Sequence, residues 1–256
     1  MKVVILAGGL GTRLIEKTDI KPKPMVEIGG MPIIWHIMKL YSYYGFNDFV
    51  ICLGYKGHII TEYFKSYFSK NSNFQIEEDK NSTKIITTGS EKWNINLVQT
   101  GEKTMTGGRI KRVKKYLENN RFFLTYGDGV SNVNIKELLR FHLSNNKACT
   151  LTAVKPEPRF GALILKDNLV THFREKDLID VDWINGGYFV CETSIFDYIN
   201  DDDNEVWEQS PLRGLSKSKN LTAFIHNDFW KPMDTLKDTM ELNEMWDKNN
   251  AKWKIW

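Results

Sequence analysis

The 256 residues carry 35 basic and 32 acidic side chains, which give a formal net charge of +3. Because the charge is small and the lysines are dispersed, the sequence excludes the basic surface of a nucleic-acid-binding protein. No apolar run approaches the roughly 18 residues that cross a membrane, and no signal-peptide pattern precedes the first apolar run, so we expect a cytoplasmic protein without membrane contact.

The chain opens on a predicted strand and a glycine-rich turn. Val3–Leu6 is an unbroken apolar run, as in a strand buried on both faces of a parallel sheet. The glycines of Gly8–Gly11 remove Cβ atoms where phosphate would approach backbone N–H groups, and Thr12 and Arg13 add a hydroxyl and a forked cation. With Lys21–Pro24 close behind, this segment predicts a nucleoside triphosphate site.

Two other phosphate loops do not fit these residues. A Walker loop needs a Gly-Lys-Ser/Thr triplet, which does not follow Gly8, and the dinucleotide fingerprint needs glycine at the position of Leu14. The remaining alternative is a tight strand-to-loop turn that binds no ligand.

Strands and helices are predicted to alternate along the rest of the chain. The predicted strands are Val3–Leu6, Phe49–Leu53, Phe122–Thr125, Cys149–Val154 and Tyr188–Cys191. The predicted helices are Pro32–Tyr44, Gly57–Phe68, Arg109–Leu117, Ile135–Ser144 and Thr235–Asn249. This order predicts a three-layer α/β fold around a mostly parallel, mixed sheet, large enough to bury about three quarters of its unfolded surface.

Four further features complete the structural prediction. Residues 159–174 predict an antiparallel hairpin of Ala162–Leu165 and Leu169–Phe173, on the active-site side of the sheet. The polar stretch Asn71–Thr83 predicts a surface loop. The three cysteines stand in apolar runs without CxxC spacing, which predicts reduced core residues. The tryptophans near the C-terminus predict a tail that packs on a neighbouring copy or back on its own domain.

Charged residues follow several predicted strands, where ligands collect in open α/β sheets. Asp128 stands between glycines directly after one strand, and Asp234 lies in a Lys-Pro-Met-Asp-Thr segment. Both are candidate magnesium ligands, because Mg²⁺ favours one or two carboxylates with phosphate oxygens and water. Asp234 has an alternative role as the N-cap of the last helix.

Three more segments supply polar groups that suit a ligand. Lys176 follows the predicted hairpin, although a solvated charge cluster is the alternative, and Asn185–Gly187 offers an amide and bare backbone that suit sugar hydroxyls. At a helix start, Thr106–Arg109 offers backbone N–H groups and a guanidinium to a nucleotide. The alternative there is an ordinary glycine-assisted helix entry.

The glycine-rich segment with its downstream Pro-Lys resembles the signature of the sugar-1-phosphate nucleotidylyltransferases. Further matching segments span nearly the whole chain: Lys21–Gly30, Ile34–Met38, Val50–Lys56, Thr106–Arg112, Trp183–Gly187 and Phe229–Thr235. The resemblance implies a Rossmann-like nucleotidyltransferase fold in a single domain, 1–256, in which 159–256 supplies the sugar-phosphate side and the C-terminal helix.

The resemblance also assigns roles to individual residues. Nucleotide binding is implied for Leu6, Ala7, Gly8, Gly9, Leu10, Gly11, Thr12, Arg13, Lys23, Thr106, Arg109 and Gly127. Sugar-phosphate binding is implied for Glu175, Lys176, Asn185 and Gly186, and magnesium binding for Asp128 and Asp234. The implied catalytic residues are Arg13, Lys23, Asp128 and Lys176.

Within this family, the sequence most resembles the members that join CTP and α-D-glucose 1-phosphate in a Mg²⁺-dependent reaction. The products of that reaction are CDP-glucose and pyrophosphate. In the implied reaction the sugar phosphate attacks the α-phosphorus in line, so positioning and charge stabilisation suffice without a protein nucleophile. Lys23 would serve the α-phosphate, Arg13 the outer phosphates and Lys176 the sugar phosphate. The resemblance further implies a homo-oligomer, as a hexamer, and a place in lipopolysaccharide O-antigen biosynthesis.

Three alternatives stay open at this point. A uridylyl- or thymidylyltransferase of the same family differs mainly in the base that it accepts. A metal-dependent glycosyltransferase would share the nucleotide-binding sheet, and Asp201–Asp203 matches its Asp-x-Asp motif, although such acidic runs are commonly solvated. A nucleotide-sugar-binding protein without catalytic activity would not need the cations Lys23 and Lys176 together with the carboxylates Asp128 and Asp234.

Overall fold

Strands and helices alternate in a computed structural model that describes residues 1–9, 21–71, 74–89, 91–157, 162–166, 168–174 and 182–256. The described strands are β1 Lys2–Leu6, β2 Glu27–Ile28, β3 Met31–Pro32, β4 Asp48–Leu53, β5 Phe74–Asp79, β6 Ser82–Thr87, β7 Asn94–Gln99, β8 Phe122–Tyr126, β9 Gly129–Ser131, β10 Cys149–Val154, β11 Ala162–Lys166, β12 Leu169–Arg174, β13 Ile184–Cys191, β14 Leu221–Ile225 and β15 Trp230–Pro232. The α-helices among these residues are α1 Ile33–Tyr43, α2 Gly57–Asn71, α3 Thr106–Arg112, α4 Ile135–Asn145, α5 Ser210–Lys217 and α6 Leu236–Asp247.

Within the described ranges, nine strands form one sheet in the order β14-β10-β13-β8-β1-β4-β7-β6-β5. β1 pairs in parallel with β4 and β8, and β4 pairs in parallel with β7, so the carboxyl ends of these four strands meet at one edge. β13 runs antiparallel to β8, which brings its first residues to that same edge. The sheet is therefore mixed, with a parallel centre, as the sequence predicts.

Both faces of the central strand are buried, because successive side chains of β1 point to opposite faces. Val3 and Ile5 belong to the core cluster that includes residues of α1 and α2. Val4 and Leu6 belong to the second cluster, beneath α3 and α5. The apolar run therefore lies between two layers of helices, and the three-layer α/β prediction is confirmed.

The predicted elements occur with small shifts at their ends. The hairpin is present as β11 and β12, paired antiparallel from Ala162 opposite Arg174 to Lys166 opposite Leu169. The helix predicted at Arg109–Leu117 begins earlier, at Thr106, and ends at Arg112, followed by a 3-10 turn at Lys114–Tyr116. The assignment of the whole chain to one domain stays a prediction.

The prediction of a surface loop at Asn71–Thr83 is wrong. Phe74–Asp79 forms the edge strand β5, which pairs antiparallel with β6, and the side chains of Gln75 to Asp79 are exposed. Polar residues suit this strand because its ladder depends on backbone hydrogen bonds and its side chains face water. On this edge Lys84 lies opposite Glu77, with 3.2 Å between their charged atoms.

The tryptophan-rich C-terminus packs back on its own chain. Trp253 is fully buried and donates its indole N–H to Nδ1 of His36 at 3.3 Å, while Nε2 of His36 donates to the Ile28 carbonyl at 2.9 Å. Burial lowers the pKa of His36 to about 4, so the imidazole is neutral at pH 7. Of the two arrangements predicted for this tail, the structure shows the one within the chain.

The remaining structural predictions concern the cysteines and the membrane. Cys52, Cys149 and Cys191 are all buried and free, as predicted. Among the residues that the structure describes, no helix combines the length and the apolar character needed to cross a membrane.

Candidate active site

A cavity of about 400 Å³ opens at the edge where the parallel strands end. Its lining comes from segments that are distant in sequence: Leu6–Gly9, Lys23–Pro24, Glu102–Thr106 with Arg109, Tyr126–Asp128 and Asp234. Three of these segments lie at or shortly after the ends of β1, β7 and β8. The sheet edge therefore gathers the glycine turn, a lysine and two carboxylates around one space.

Lys23 lies between the two aspartates that the sequence proposes as metal ligands. Its side-chain nitrogen Nζ is 2.8 Å from Oδ2 of Asp128 and 2.5 Å from Oδ1 of Asp234. Lys23 is 9% exposed, and burial alone would lower its pKa. The two carboxylates outweigh burial and raise the pKa of Lys23 above its usual value, so the ammonium is charged throughout the neutral pH range.

Backbone pairing brings these three side chains together. Asp128 stands between β8 and β9, and β9 pairs antiparallel with β15, with Gly129 opposite Pro232. The backbone N–H of Met233 donates to the Asp128 carbonyl at 2.8 Å, which sets Asp234 beside Asp128. Lys23 reaches the pair from a 3-10 turn, Lys23–Met25, that begins directly after Pro22.

The N-cap alternative for Asp234 is wrong. The residue that caps α6 is Thr235, whose side chain accepts from the backbone N–H of Asp238, while the Asp238 carboxylate accepts from the backbone N–H of Thr235. This reciprocal pair is a capping box, and it leaves the Asp234 carboxylate directed at Lys23. Asp234 therefore belongs to the cleft.

The glycine turn rests on the guanidinium of Arg109. Arg109 is buried and donates to four backbone carbonyls and one hydroxyl, in contacts that link the turn to the loop after β7. The acceptors are Gly8 O at 2.8 Å, Leu53 O at 3.0 Å, Gly101 O at 2.7 Å, Glu102 O at 3.3 Å and Thr100 Oγ1 at 2.9 Å. These bonds give Arg109 a positioning role, and its contact with a nucleotide stays a prediction.

The expectation that backbone N–H groups at the start of α3 address a nucleotide is wrong for two glycines. The N–H groups of Gly107 and Gly108 both donate to the Glu205 carbonyl, at 2.8 and 3.2 Å. A Cβ on Gly107 would lie 2.7 Å from Cγ of Glu205, so the glycines allow a second chain segment to approach. Thr106 itself lines the cavity, and its nucleotide contact stays a prediction.

The acidic run Asp201–Asp203 supports the same helix start. The Asp203 carbonyl accepts from the backbone N–H of Met105 at 2.7 Å, and the Asp203 carboxylate pairs with Arg112 at 2.5 Å. Asp202 accepts from the backbone N–H of Asn204. These contacts are those of a structural turn, and they do not favour the metal motif of a glycosyltransferase.

Asn185 and Gly186 begin β13 beside the end of β8. The Asn185 amide nitrogen donates to the Tyr126 hydroxyl at 3.0 Å, and its oxygen accepts from the backbone N–H of Gly187 at 2.9 Å. The Gly186 carbonyl accepts from the Trp230 indole at 2.7 Å. This turn is thus held against Tyr126, which lines the cavity, and its contact with a sugar phosphate stays a prediction.

Several predicted site residues lie outside the described residues. These are Leu10, Gly11, Thr12, Arg13, Glu175 and Lys176. The structure brings together the described members of the predicted nucleotide set with both predicted metal ligands.

Glu102–Met105 form a wall of the cavity that was not predicted from the sequence. This wall follows β7, whose Asn-Ile-Asn-Leu-Val-Gln sequence alternates polar and apolar residues and was a recognisable strand signal. Sequence reasoning also missed Tyr126, the last residue of β8, although the same strand-end rule that selects Asp128 applies to it.

Comparisons with known proteins agree with this geometry. The family model described as nucleotidyl transferase matches residues 2–249. The chain is 51% identical to the glucose-1-phosphate cytidylyltransferases of Salmonella typhimurium and Salmonella typhi, over 100% of each chain. A solved structure of HddC from Yersinia pseudotuberculosis has a TM-score of 0.69 and 24% identity, covering 96% of this chain and 99% of that chain, a likeness of fold.

We expect Gly8→Ala to destabilise the protein through Arg109. A Cβ at this position would lie 2.2 Å from Nη1 of Arg109, which is held by its carbonyl partners. Overpacking of this kind costs about 1–3 kcal/mol, to be measured as a lower midpoint in urea unfolding. The matched control is Gly9→Ala, because a Cβ there meets no described atom within 4 Å. Equal midpoints for the two variants would contradict the role of Arg109 as a support for the turn.

Proposed function

The chain belongs to the nucleotidyl transferase family, and from that premise we propose that it joins CTP and α-D-glucose 1-phosphate into CDP-glucose with release of pyrophosphate. The observation that carries the proposal is the charged Lys23 held by Asp128 and Asp234 on the lining of the glycine-edged cavity. The full-length identity of 51% to cytidylyltransferases supports the choice of both substrates.

The reaction requires positioning more than covalent chemistry from the protein. A phosphate oxygen of glucose 1-phosphate forms a bond to the α-phosphorus of CTP, while the bond from that phosphorus to the bridging oxygen breaks and pyrophosphate leaves with the electron pair. No proton must be removed from the attacking oxygen, because it is an anion at neutral pH. Catalysis therefore depends on alignment and on preorganised positive charge.

Lys23 supplies such a charge at the α-phosphate in this proposal. Its raised pKa keeps the ammonium protonated, and its small exposure limits screening by water. The turn Leu6–Gly9 offers backbone and little side-chain bulk beside the same space, which suits a triphosphate and its base. Arg13 is proposed for the outer phosphates.

Asp128 and Asp234 fit a magnesium ion. Both carboxylates converge on the Lys23 ammonium, so their oxygens already share one cation, and Mg²⁺ would take that place once Lys23 pairs with a phosphate. Among the described residues no cluster of three or more His, Cys, Asp or Glu side chains could hold a metal. Two carboxylates suit an ion that takes its other ligands from phosphate oxygens and water. When bound, Mg²⁺ would neutralise phosphate charge and reduce the repulsion between two anionic substrates.

The sugar phosphate is assigned to the other side of the cleft. Glu175, Lys176, Asn185 and Gly186 are proposed for it, with Lys176 pairing with the phosphate. The support is the position of the Asn185 turn at the start of β13, next to the end of β8 and away from the glycine turn.

The assembly and the location of the enzyme are proposals as well. A homo-oligomer, in the form of a hexamer, is inferred from the family resemblance. The same resemblance supports a cytoplasmic reaction and the use of CDP-glucose in O-antigen biosynthesis.

The pyrophosphate released from CTP, glucose 1-phosphate and Mg²⁺ tests the proposed function directly. We expect release only when both substrates are present, with CTP preferred when UTP, dTTP, ATP and GTP are offered in parallel. A preference for UTP or dTTP would instead identify another branch of the family. Absence of pyrophosphate with every triphosphate would contradict the proposal.

We expect Lys23→Ala to lower kcat by roughly two to three orders of magnitude, because one preorganised charge at a transition state is worth about 3–4 kcal/mol. The matched control is Lys84→Ala, whose side chain instead pairs with Glu77 at 3.2 Å on the edge of the sheet. Steady-state pyrophosphate release measures both variants. A wild-type kcat in Lys23→Ala would remove this residue from the mechanism.

We expect Asp128→Asn and Asp234→Asn each to abolish most magnesium-dependent turnover, since an amide replaces an anionic oxygen ligand poorly. Titration of turnover with Mg²⁺ is the measurement. The double variant should lose less than the product of the two single losses, because both residues act on one ion. Asp79→Asn, on the exposed strand β5, is the control. If an active-site variant kept the wild-type response to Mg²⁺ and lost only thermal stability, its role as a ligand would be disproved.

A further inference from the structure

The carboxylate of Glu208 spans two walls of the cleft. Its Oε2 accepts from the Thr106 hydroxyl at 2.7 Å, and its Oε1 accepts from the Tyr126 hydroxyl at 2.5 Å. Thr106 begins α3 directly after the wall Glu102–Met105, Tyr126 ends β8, and both residues line the cavity. One side chain thus ties together two segments that do not share a strand pairing.

Tyr126 transmits this contact to the first residues of β13. Its hydroxyl accepts from the Asn185 amide at 3.0 Å while it donates to Glu208, so both of its hydrogen-bond directions are fixed. Gly187 has a φ of +82°, and a Cβ there would lie 2.5 Å from the Tyr126 ring. The ring therefore packs directly on the Asn185 turn, and its hydroxyl has little freedom to rotate away.

The donor and acceptor roles in the hydrogen bonds that join Glu208, Tyr126 and Asn185 are unambiguous. The phenol of Tyr126 has one O–H donor, which the Glu208 carboxylate accepts, and its oxygen accepts from the Asn185 amide nitrogen. A carboxylate accepts hydrogen bonds only, and it receives one from each wall. The Asn185 amide must then present its nitrogen to Tyr126 and its oxygen to Gly187.

We propose that Glu208 is a positioning residue for the sugar-phosphate half of the site, acting through Tyr126 on the Asn185 turn. The inference rests on the proposed function for the identity of that half. Glu208 itself lies outside the cavity lining and is exposed, so it acts on substrate through other residues. The hydrogen bond between Glu208 and Thr106 fixes the position of Tyr126 relative to the start of α3.

We expect the loss of the Glu208 carboxylate to weaken the binding of glucose 1-phosphate more than the binding of CTP. Without the Glu208 carboxylate, the Tyr126 hydroxyl loses its acceptor and the Asn185 amide loses its fixed partner. The glycine turn is held separately by Arg109. Thr106 keeps a second partner when Glu208 is removed, because its hydroxyl accepts from the backbone N–H of Trp207 at 2.9 Å, so nucleotide binding should persist. An exposed carboxylate makes weaker bonds than a buried one, and we therefore expect a moderate change.

Steady-state kinetics with CTP, glucose 1-phosphate and Mg²⁺ test the proposal in the wild type, Glu208→Ala, Glu208→Gln and Tyr126→Phe. We expect Glu208→Ala to raise KM for glucose 1-phosphate about five- to tenfold, with KM for CTP within about twofold of wild type. Glu208→Gln should recover most of the affinity, because its amide oxygen still accepts from Tyr126. Gln209→Ala is the control, since the Gln209 side chain makes no cap hydrogen bond to α5.

A double-mutant cycle separates positioning from general loss of stability. In the Tyr126→Phe background, Glu208→Ala should add little to KM for glucose 1-phosphate, because the two residues act in series. The inference is overturned if Glu208→Ala leaves that KM unchanged, if it raises both KM values equally, or if its effect is fully additive with Tyr126→Phe. These outcomes assume an active wild type. An inactive wild type would overturn the proposed function first, and this inference with it.

Discussion

The pairing of Lys23 with Asp128 and Asp234 is the interaction on which the site depends. A largely buried ammonium is costly unless it is paired, and here two carboxylates from separate parts of the chain compensate it. Their convergence requires the pairing of β9 with β15 and the 3-10 turn after Pro22. The same three groups supply what a reaction between two phosphates needs, namely a fixed positive charge and anionic oxygens that suit a divalent cation.

Arg109 plays the corresponding role for the glycine turn. Its guanidinium gathers carbonyls from three loops at the sheet edge, so the turn is already held in place by the protein itself. This agrees with catalysis by positioning, in which the cost of ordering the loops is met during folding. The segment Asp201–Glu208 contributes in a similar way, because its carbonyls cap α3 and its last carboxylate joins Thr106 to Tyr126.

Local patterns predicted the elements whose side chains carry a strong signal. The apolar run of β1 and the helices α1 and α4 lie close to their predicted bounds, since burial on defined faces leaves a readable periodicity. The edge strand β5 was predicted as a loop, because a strand with exposed side chains has the composition of a loop and differs only in its backbone pairing. Glu208 had no local signal at all, since its role depends on two hydroxyls from distant segments.

The sequence by itself predicted the residues that meet at the cavity, because a glycine-rich turn, a lysine after proline and aspartates after strands are typical of phosphate and metal sites. It also determined the three-layer class from the alternation of elements. Only the tertiary structure decided which of two plausible roles several residues have. Asp234 faces Lys23 because Thr235 caps α6, and Gly107 and Gly108 donate to the Glu205 carbonyl because another segment packs against α3. The capping box of Thr235 and Asp238 is a local pattern, but the contact of Asp234 with Lys23 and those of Gly107 and Gly108 with Glu205 join segments that are remote in sequence, and no local pattern encodes such contacts.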